Sequence, residues 1–159
     1  MSDHHTVTPR TMCFVFNGND VLLMKGNETK DWNGIYDPIG GHIEQGEAVL
    51  DNAAREIKEE SGLDVTDVQL RGIVHVNNFF GKQVMMFVCS AKSSTREVVG
   101  SLEGMPEWVS LNNFDNLKIF EDVKPILKNV LDLEPGKIFL GTSEFDGKDK
   151  LLYLDIKIN

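Results

Sequence analysis

The chain has 159 residues, and its 25 acidic against 16 basic side chains give a formal net charge of −9 at pH 7. This acidity argues against DNA or RNA as a bound polymer, which requires a basic face, and no apolar run approaches the ~20 residues that span a membrane. A single domain with one core is expected at this length, and the apolar and charged fractions, 41% and 26%, are ordinary for a soluble globular protein.

The first eight residues are polar and lack the basic start and apolar stretch of a secretory signal. We therefore expect a disordered tail over residues 1–8, a single domain over residues 9–159, and a cytoplasmic protein. His4 and His5 form an isolated doublet in this tail, and disorder explains it better than metal binding.

Two strand-like runs follow, residues 9–17 and 20–25, and they flank Gly18 and Asn19, which predicts a hairpin. A polar loop over residues 26–34 leads to residues 38–42. The two glycines there, Gly40 and Gly41, allow the backbone to approach a metal or a phosphate closely. Cys13 lies in the first run and Cys89 in a later strand-like run, and both are predicted to be small buried side chains rather than partners in a disulfide.

Residues 47–61 are predicted to form a helix, because they contain no Pro or Gly and are rich in good helix formers. Gly62 follows at a natural C-cap position. An apolar stripe repeats at three- and four-residue spacing, and its members are Leu50, Ala53, Ala54 and Ile57.

A different face of this helix carries Glu56, Glu59 and Glu60, at positions i, i+3 and i+4. Like charges at this spacing destabilise an isolated helix by a few tenths of a kcal/mol per pair. A hard divalent cation such as Mg²⁺ removes that repulsion, because it prefers carboxylate oxygens. Arg55 lies about two turns from Glu47 on the same side and can brace the helix start. The alternative is an ordinary solvated acidic face.

The rest of the chain alternates further strands with one helix. Residues 68–80 and 83–91 predict a second hairpin around Gly81 and Lys82, and residues 108–111 a short strand. Residues 120–133 predict a helix with Pro125 in its first turns. Residues 137–140 and 151–158 are strand-like around the turn signal Asp146-Gly147. Strands and two main helices that interleave in this way predict an α/β sandwich with a mixed central sheet.

The segment 41–63, GHIEQGEAVLDNAAREIKEESGL, resembles the signature of the Nudix hydrolases at every fixed position. A chance match in a chain of this length is on the order of 10⁻⁷. The resemblance implies a Nudix-type α/β/α sandwich in which water attacks a phosphorus of a nucleoside diphosphate linked to another group. It also implies Mg²⁺, or Mn²⁺, as the cofactor.

The resemblance assigns roles residue by residue. The carboxylates that would hold metal, one of them helping to deprotonate the water, are those of Glu56, Glu59 and Glu60. Gly40 would add its backbone carbonyl as a ligand. The mainly structural positions of the motif are Gly41, Glu47, Arg55 and Gly62. Which glutamate is the base stays open, because coupled carboxylates share their titration.

Residues 101–109 resemble the Glu-Gly…Glu-Trp-Val segment of the MutT-like and MutX-like branch, diphosphatases of oxidised purine nucleotides such as 8-oxo-dGTP. In that branch the Glu before the Gly, here Glu103, is a further metal ligand; the alternative is a solvated loop acid. Residues 119–122 resemble the segment that recognises the purine in that branch. Phe120 would stack on the base, and Asp122 or Glu121 would accept hydrogen bonds from its edge. The alternative for Phe120 is a position in the hydrophobic core.

The sequence therefore predicts an Mg²⁺-dependent diphosphatase that converts a nucleoside triphosphate to nucleoside monophosphate and pyrophosphate. The expected partner is a small-molecule nucleotide, with no nucleic acid polymer and no membrane, and the oligomeric state is open. Two alternatives remain. The substrate would instead be ADP-ribose, a nucleotide sugar or a dinucleoside polyphosphate, or the chain would be a non-catalytic nucleotide sensor. Such sensors commonly lose motif carboxylates, and all are present here.

Overall fold

A computed structural model describes residues 4–158, with eight strands and two α-helices in that range. The strands are β1 (Thr8–Asn17), β2 (Asp20–Gly26), β3 (Tyr36–Pro38), β4 (Thr66–Phe79), β5 (Lys82–Lys92), β6 (Gly104–Ser110), β7 (Phe139–Phe145) and β8 (Leu151–Ile158). The helices are α1 (Val49–Ser61) and α2 (Val123–Asp132), and a short 3₁₀ helix covers Leu111–Asn116.

All eight strands pair into one sheet in the order β3-β2-β1-β5-β4-β7-β8, with β6 also paired to β2. The pairs β1–β5 and β4–β7 are parallel and the others are antiparallel. The sheet is therefore mixed, as the sequence predicts.

The sheet is covered on both faces, as the side chains of β1 show. Met12 and Phe14 join the apolar cluster that contains the buried side of α2, whereas Cys13 and Val15 join the cluster under α1. This alternation follows from the two-residue period of a strand. The predicted α/β sandwich is confirmed. Both cysteines, Cys13 and Cys89, are free and buried, as predicted.

The loop before α1 is built into the sheet. Strands β1 and β2 pair only beside their turn, at Phe16↔Val21 and Asn17↔Asp20. Where the two strands diverge, residues 36–42 fill the gap: the backbone N–H of Cys13 donates to Ile39 O at 2.7 Å, and that of Thr11 donates to Gly41 O at 2.9 Å. The glycine pair that the sequence singles out is thereby fixed beside α1 by backbone hydrogen bonds.

The elements differ from the sequence-based expectations mainly at their ends. Helix α1 begins at Val49 because residues 44–47 form a turn, with the N–H of Glu47 donating to Glu44 O at 3.0 Å. Helix α2 begins at Val123, so Phe120 precedes it. Strand β6 is longer than the predicted strand because its whole length pairs with β2, a long-range contact that local sequence does not reveal.

At the N-terminus, residues 1–3 of the predicted tail lie outside the described residues, and β1 begins at Thr8. His5 Nε2 lies 3.0 Å from His75 Nε2. The division into tail and domain stays a prediction. Over residues 4–158, none of the helices has the length and apolar character needed to cross a membrane.

Candidate active site

The start of α1 is held by a clamp between Glu47 and Arg55. Arg55 donates from Nε to Glu47 Oε1 at 2.7 Å and from Nη2 to Glu47 Oε2 at 3.2 Å. The side chain of Asn52 and the backbone N–H of Glu44 also donate to Glu47, at 2.9 and 3.0 Å. The hydrogen bonds from Arg55, then from Glu44 and Asn52, lower the pKa of Glu47 to about 2. Glu47 is thus an ionised anchor with its acceptor oxygens in use.

Glu56 lies directly over Gly41. A Cβ built on Gly41 would come within 2.5 Å of Glu56 Cδ and 2.7 Å of Oε2, so any side chain there would displace the carboxylate. The Glu56 side chain is 13% exposed and lies 3.3 Å from Arg55 Nη2. Burial raises the pKa of Glu56 against the lowering effect of Arg55. The glycine is required here because a carboxylate occupies the space of its missing side chain.

Glu60 lies beside the same glycines. Its Oε2 accepts a hydrogen bond from the backbone N–H of Gly40 at 3.2 Å. Burial raises the pKa of Glu60 to about 8, with further raising by the charges of Glu56, Glu103 and Asp37. The carboxyl groups of Glu56 and Glu60 therefore both lie beside Gly40 and Gly41, in surroundings that disfavour their ionised forms.

The other two predicted ligands are paired with cations. Glu59 is 57% exposed and accepts from Arg55 Nη1 at 3.0 Å. Glu103, in the loop before β6, forms an ion pair with Lys30 Nζ at 2.6 Å, and the two side chains are 46% and 25% exposed. Glu103 nevertheless contributes to the raised pKa of Glu60, so the β6 loop and α1 converge on one cleft.

This donor set fits a hard divalent cation in its chemistry, because it consists of carboxyl oxygens whose ionised forms are disfavoured unless a cation lies beside them. The carboxylates do not form a finished cage: within residues 4–158, no three His, Cys, Asp or Glu side chains are arranged to hold an ion. To bind the metal, Glu59 would have to leave Arg55, and Glu103 would have to leave Lys30. Glu56 and Glu60 already lie together.

The two residues predicted to recognise the base, Phe120 and Asp122, lie in different surroundings. Phe120 is 8% exposed and packs edge-on against Phe79, with ring centroids 5.2 Å apart. Asp122 is 6% exposed, and burial raises its pKa to about 6. Burial and then the charge of Asp122 raise the pKa of Asp37 to about 8. Asp122 therefore lies near Asp37 and, through it, near the acidic cleft, whereas Phe120 belongs to the core.

Sequence reasoning missed two side chains of the site. Asn52 is fully buried and accepts from Thr11 Oγ1 at 2.6 Å while donating to His42 O at 2.7 Å, so it joins β1, the glycine loop and Glu47. A polar residue with poor helix propensity beside the apolar stripe is the signal that could have identified it. Arg10, on β1, lies opposite His42, and no sequence signal marks it.

Known proteins resemble this chain in sequence and in fold. The family model described as NUDIX domain matches residues 6–130. The chain is 33% identical to an uncharacterized Nudix hydrolase, YvcI, of Bacillus subtilis over 112 residues, which are 67% of this chain and 68% of that protein. It is 28% identical to the oxidized purine nucleoside triphosphate hydrolase of Mus musculus over 153 residues, 92% of each chain.

Among solved structures, the MutT protein of Bacillus halodurans superposes with a TM-score of 0.82 at 28% identity, covering 95% of this chain and 98% of that chain. The chain spans less than half the length of two further relatives, both Nudix hydrolases of Arabidopsis thaliana.

Proposed function

The chain belongs to the Nudix hydrolase family, whose members act on nucleotide-linked substrates, and on this premise we propose a specific reaction for it. The reaction is the hydrolysis of a nucleoside triphosphate to nucleoside monophosphate and pyrophosphate by attack of water at phosphorus. The preferred base is an oxidised purine, such as that of 8-oxo-dGTP.

The observation that carries the proposal is the meeting of Glu56 and Glu60 at Gly40 and Gly41, with Glu103 within electrostatic reach. Nudix hydrolases generally use divalent metal ions, and this cluster of oxygen donors supports Mg²⁺ or Mn²⁺. A bound ion of this kind would neutralise phosphate charge and make the attacking water more acidic.

In this proposal the chain's own groups have three tasks. The metal ligands are the carboxylates of Glu56, Glu59, Glu60 and Glu103, with the carbonyl of Gly40. One of the three helix glutamates takes the proton of the attacking water. The clamp of Glu47 and Arg55 holds the start of the helix, so that the carboxylates keep their positions relative to the glycines.

The substrate preference rests on two supports. One is the likeness, along 92% of each chain, to a mouse protein named for oxidized purine nucleoside triphosphates. The other is the position of Asp122 beside Asp37 at the cleft, where a buried acid can donate or accept a hydrogen bond at a base edge. Phe120, with little exposed surface, would form the wall behind the base.

The proposal is tested by product analysis with Mg²⁺ on 8-oxo-dGTP, the four dNTPs, ADP-ribose and diadenosine tetraphosphate. Glu59→Gln removes one proposed ligand, and Glu134→Gln, at an exposed position after α2, is the matched control. We expect 8-oxo-dGTP to be converted to monophosphate and pyrophosphate at the highest rate of the panel. This activity should be lost in Glu59→Gln and kept in Glu134→Gln.

Equal rates on 8-oxo-dGTP and the four dNTPs would contradict the base preference. Faster turnover of ADP-ribose or the dinucleotide would contradict the triphosphate substrate. Full activity of Glu59→Gln would contradict the assignment of that carboxylate.

A further inference from the structure

Arg10 is a cationic side chain whose hydrogen-bonding capacity is unused. Its Nε is buried without a hydrogen-bond partner. To the residues that the structure describes, its guanidinium makes neither a hydrogen bond nor an ion pair within 4.0 Å. A guanidinium carries five donors and stays charged at all physiological pH values. Since buried donors are nearly always paired in native proteins, an unpaired one indicates an absent partner.

The surroundings of Arg10 place it at the edge of the acidic cleft. It lies on β1 in antiparallel register with His42, the residue that follows the two glycines. Its charge lowers the pKa values of Asp37 and Glu56, so it is close to both carboxyl groups. It also lowers the pKa of His42, after burial and together with Lys82. Arg10 and Lys82 therefore form a cationic border at His42, beside the carboxylates, and the lowered pKa of His42 favours its neutral form.

Neither nearby acid accepts a hydrogen bond from Arg10 Nε. Glu56 lies over Gly41 with Arg55 Nη2 at 3.3 Å. Asp37 is partly buried and lies near Asp122. Arg10 is only partly buried, so its two terminal nitrogens remain available to an acceptor that enters the cleft.

An anion with several oxygens is the acceptor that fits. A nucleotide with a polyphosphate is repelled by a protein of net charge −9 whose cleft contains glutamates. The cationic border offsets that repulsion locally. A guanidinium matches phosphate oxygens in geometry and charge. We propose that Arg10, with His42 beside it, is a binding site for a phosphate group of the substrate, next to the carboxylates of α1.

This inference rests on the proposed function for the identity of the nucleotide, but the anion contact does not require turnover. The experiment compares wild type, Arg10→Gln and Arg71→Gln. Arg71 is the matched control because its guanidinium already bonds to Gln69 and to Leu133 O. Isothermal titration calorimetry with inorganic pyrophosphate, in Mg²⁺ and in EDTA, measures binding directly. Thermal melts measure folding, and titration with the nucleoside lacking phosphate tests the base as an alternative partner.

The expected result is that Arg10→Gln weakens pyrophosphate binding by about tenfold or more, the range for hydrogen bonds to charged groups. Arg71→Gln should bind as wild type does. The melting temperature of Arg10→Gln should not fall, because no hydrogen bond of the folded chain is removed. In turnover assays, KM should rise by a similar factor, with kcat within about threefold of wild type.

Three outcomes would overturn the inference: unchanged pyrophosphate affinity in Arg10→Gln, no pyrophosphate binding by folded wild type, or an equal Arg10-dependent affinity for the nucleoside without phosphate. If the chain hydrolyses none of the nucleotides but keeps Arg10-dependent pyrophosphate binding, the proposed function fails and the anion site stands.

Discussion

Replacing Gly41 with alanine tests whether the glycine is required by the carboxylate above it. The added Cβ would lie 2.5 Å from Glu56 Cδ, and an ordinary van der Waals contact begins near 3.4 Å. The carboxyl group must therefore move by about 0.9 Å. A displacement of about 1 Å in a catalytic group costs about 100-fold in rate, so kcat should fall by about that factor.

The same substitution should leave the fold largely intact. The atoms that must give way belong to the end of a flexible side chain rather than to backbone, so we expect a loss of stability of about 1 to 3 kcal/mol. Gly141→Ala, in β7, is the control, because its Cβ would meet neighbours on β8 and β4 at 3.2 to 3.3 Å. That variant should lose a little stability and keep its activity.

Three measurements decide the matter: kcat on the preferred nucleotide, Mn²⁺ affinity by calorimetry, and the melting temperature. Gly41→Ala should lose activity and Mn²⁺ affinity while remaining folded at the assay temperature. If kcat and Mn²⁺ affinity stay within about threefold of wild type, the steric reasoning about Glu56 is wrong.

Three further predictions follow from the charges of the site. Glu60→Gln should reduce kcat by orders of magnitude with a wild-type circular dichroism spectrum, and unchanged turnover would remove Glu60 from the metal site. In EDTA, wild type should lose thermal stability as pH rises from about 5 to 8. The reason is that an acid whose folded pKa is raised to about 8 binds a proton in the native state that the unfolded state has already released. Glu60→Gln should make this slope shallower, with a remainder from Asp37 and Asp122, and an equally steep slope in the variant would contradict the assignment to Glu60. Lys30→Gln should tighten Mn²⁺ binding by about two- to fivefold, the range for an exposed ion pair, because Lys30 competes for Glu103. The tightening should vanish in a Glu103→Gln background. If it persists there, the charge of Lys30 acts on the metal directly and not by competing for Glu103.

Local sequence predicted the parts of the site that lie on one element. The spacing of Glu56, Glu59 and Glu60 on a helix that ends at Gly62 depends only on helix periodicity and on a left-handed cap, and Gly62 has φ +79°. The pairing of Arg55 with Glu47 was also predicted, although Glu47 lies in the preceding turn rather than in the helix.

Contacts between distant segments could not be predicted in the same way. Asn52 accepts a hydrogen bond from Thr11, which lies 41 residues earlier on β1, and the ion pair of Glu103 depends on where the 26–34 loop lies beside β6. Periodicity reports which way a side chain faces on its own element and carries no information about the partner it meets.

Residue patterns alone were enough to identify the family, the α/β sandwich, the acidic helix face and the need for small residues at 40 and 41. The folded arrangement was needed to show that Glu56 fills the space above Gly41, that Lys30 pairs with Glu103, and that Arg10 Nε is unpaired. Helix spacing and capping are local properties of the backbone, and the sequence therefore reveals them. The pKa of each site residue depends on its burial and on the charges of neighbours, and these neighbours come from several strands.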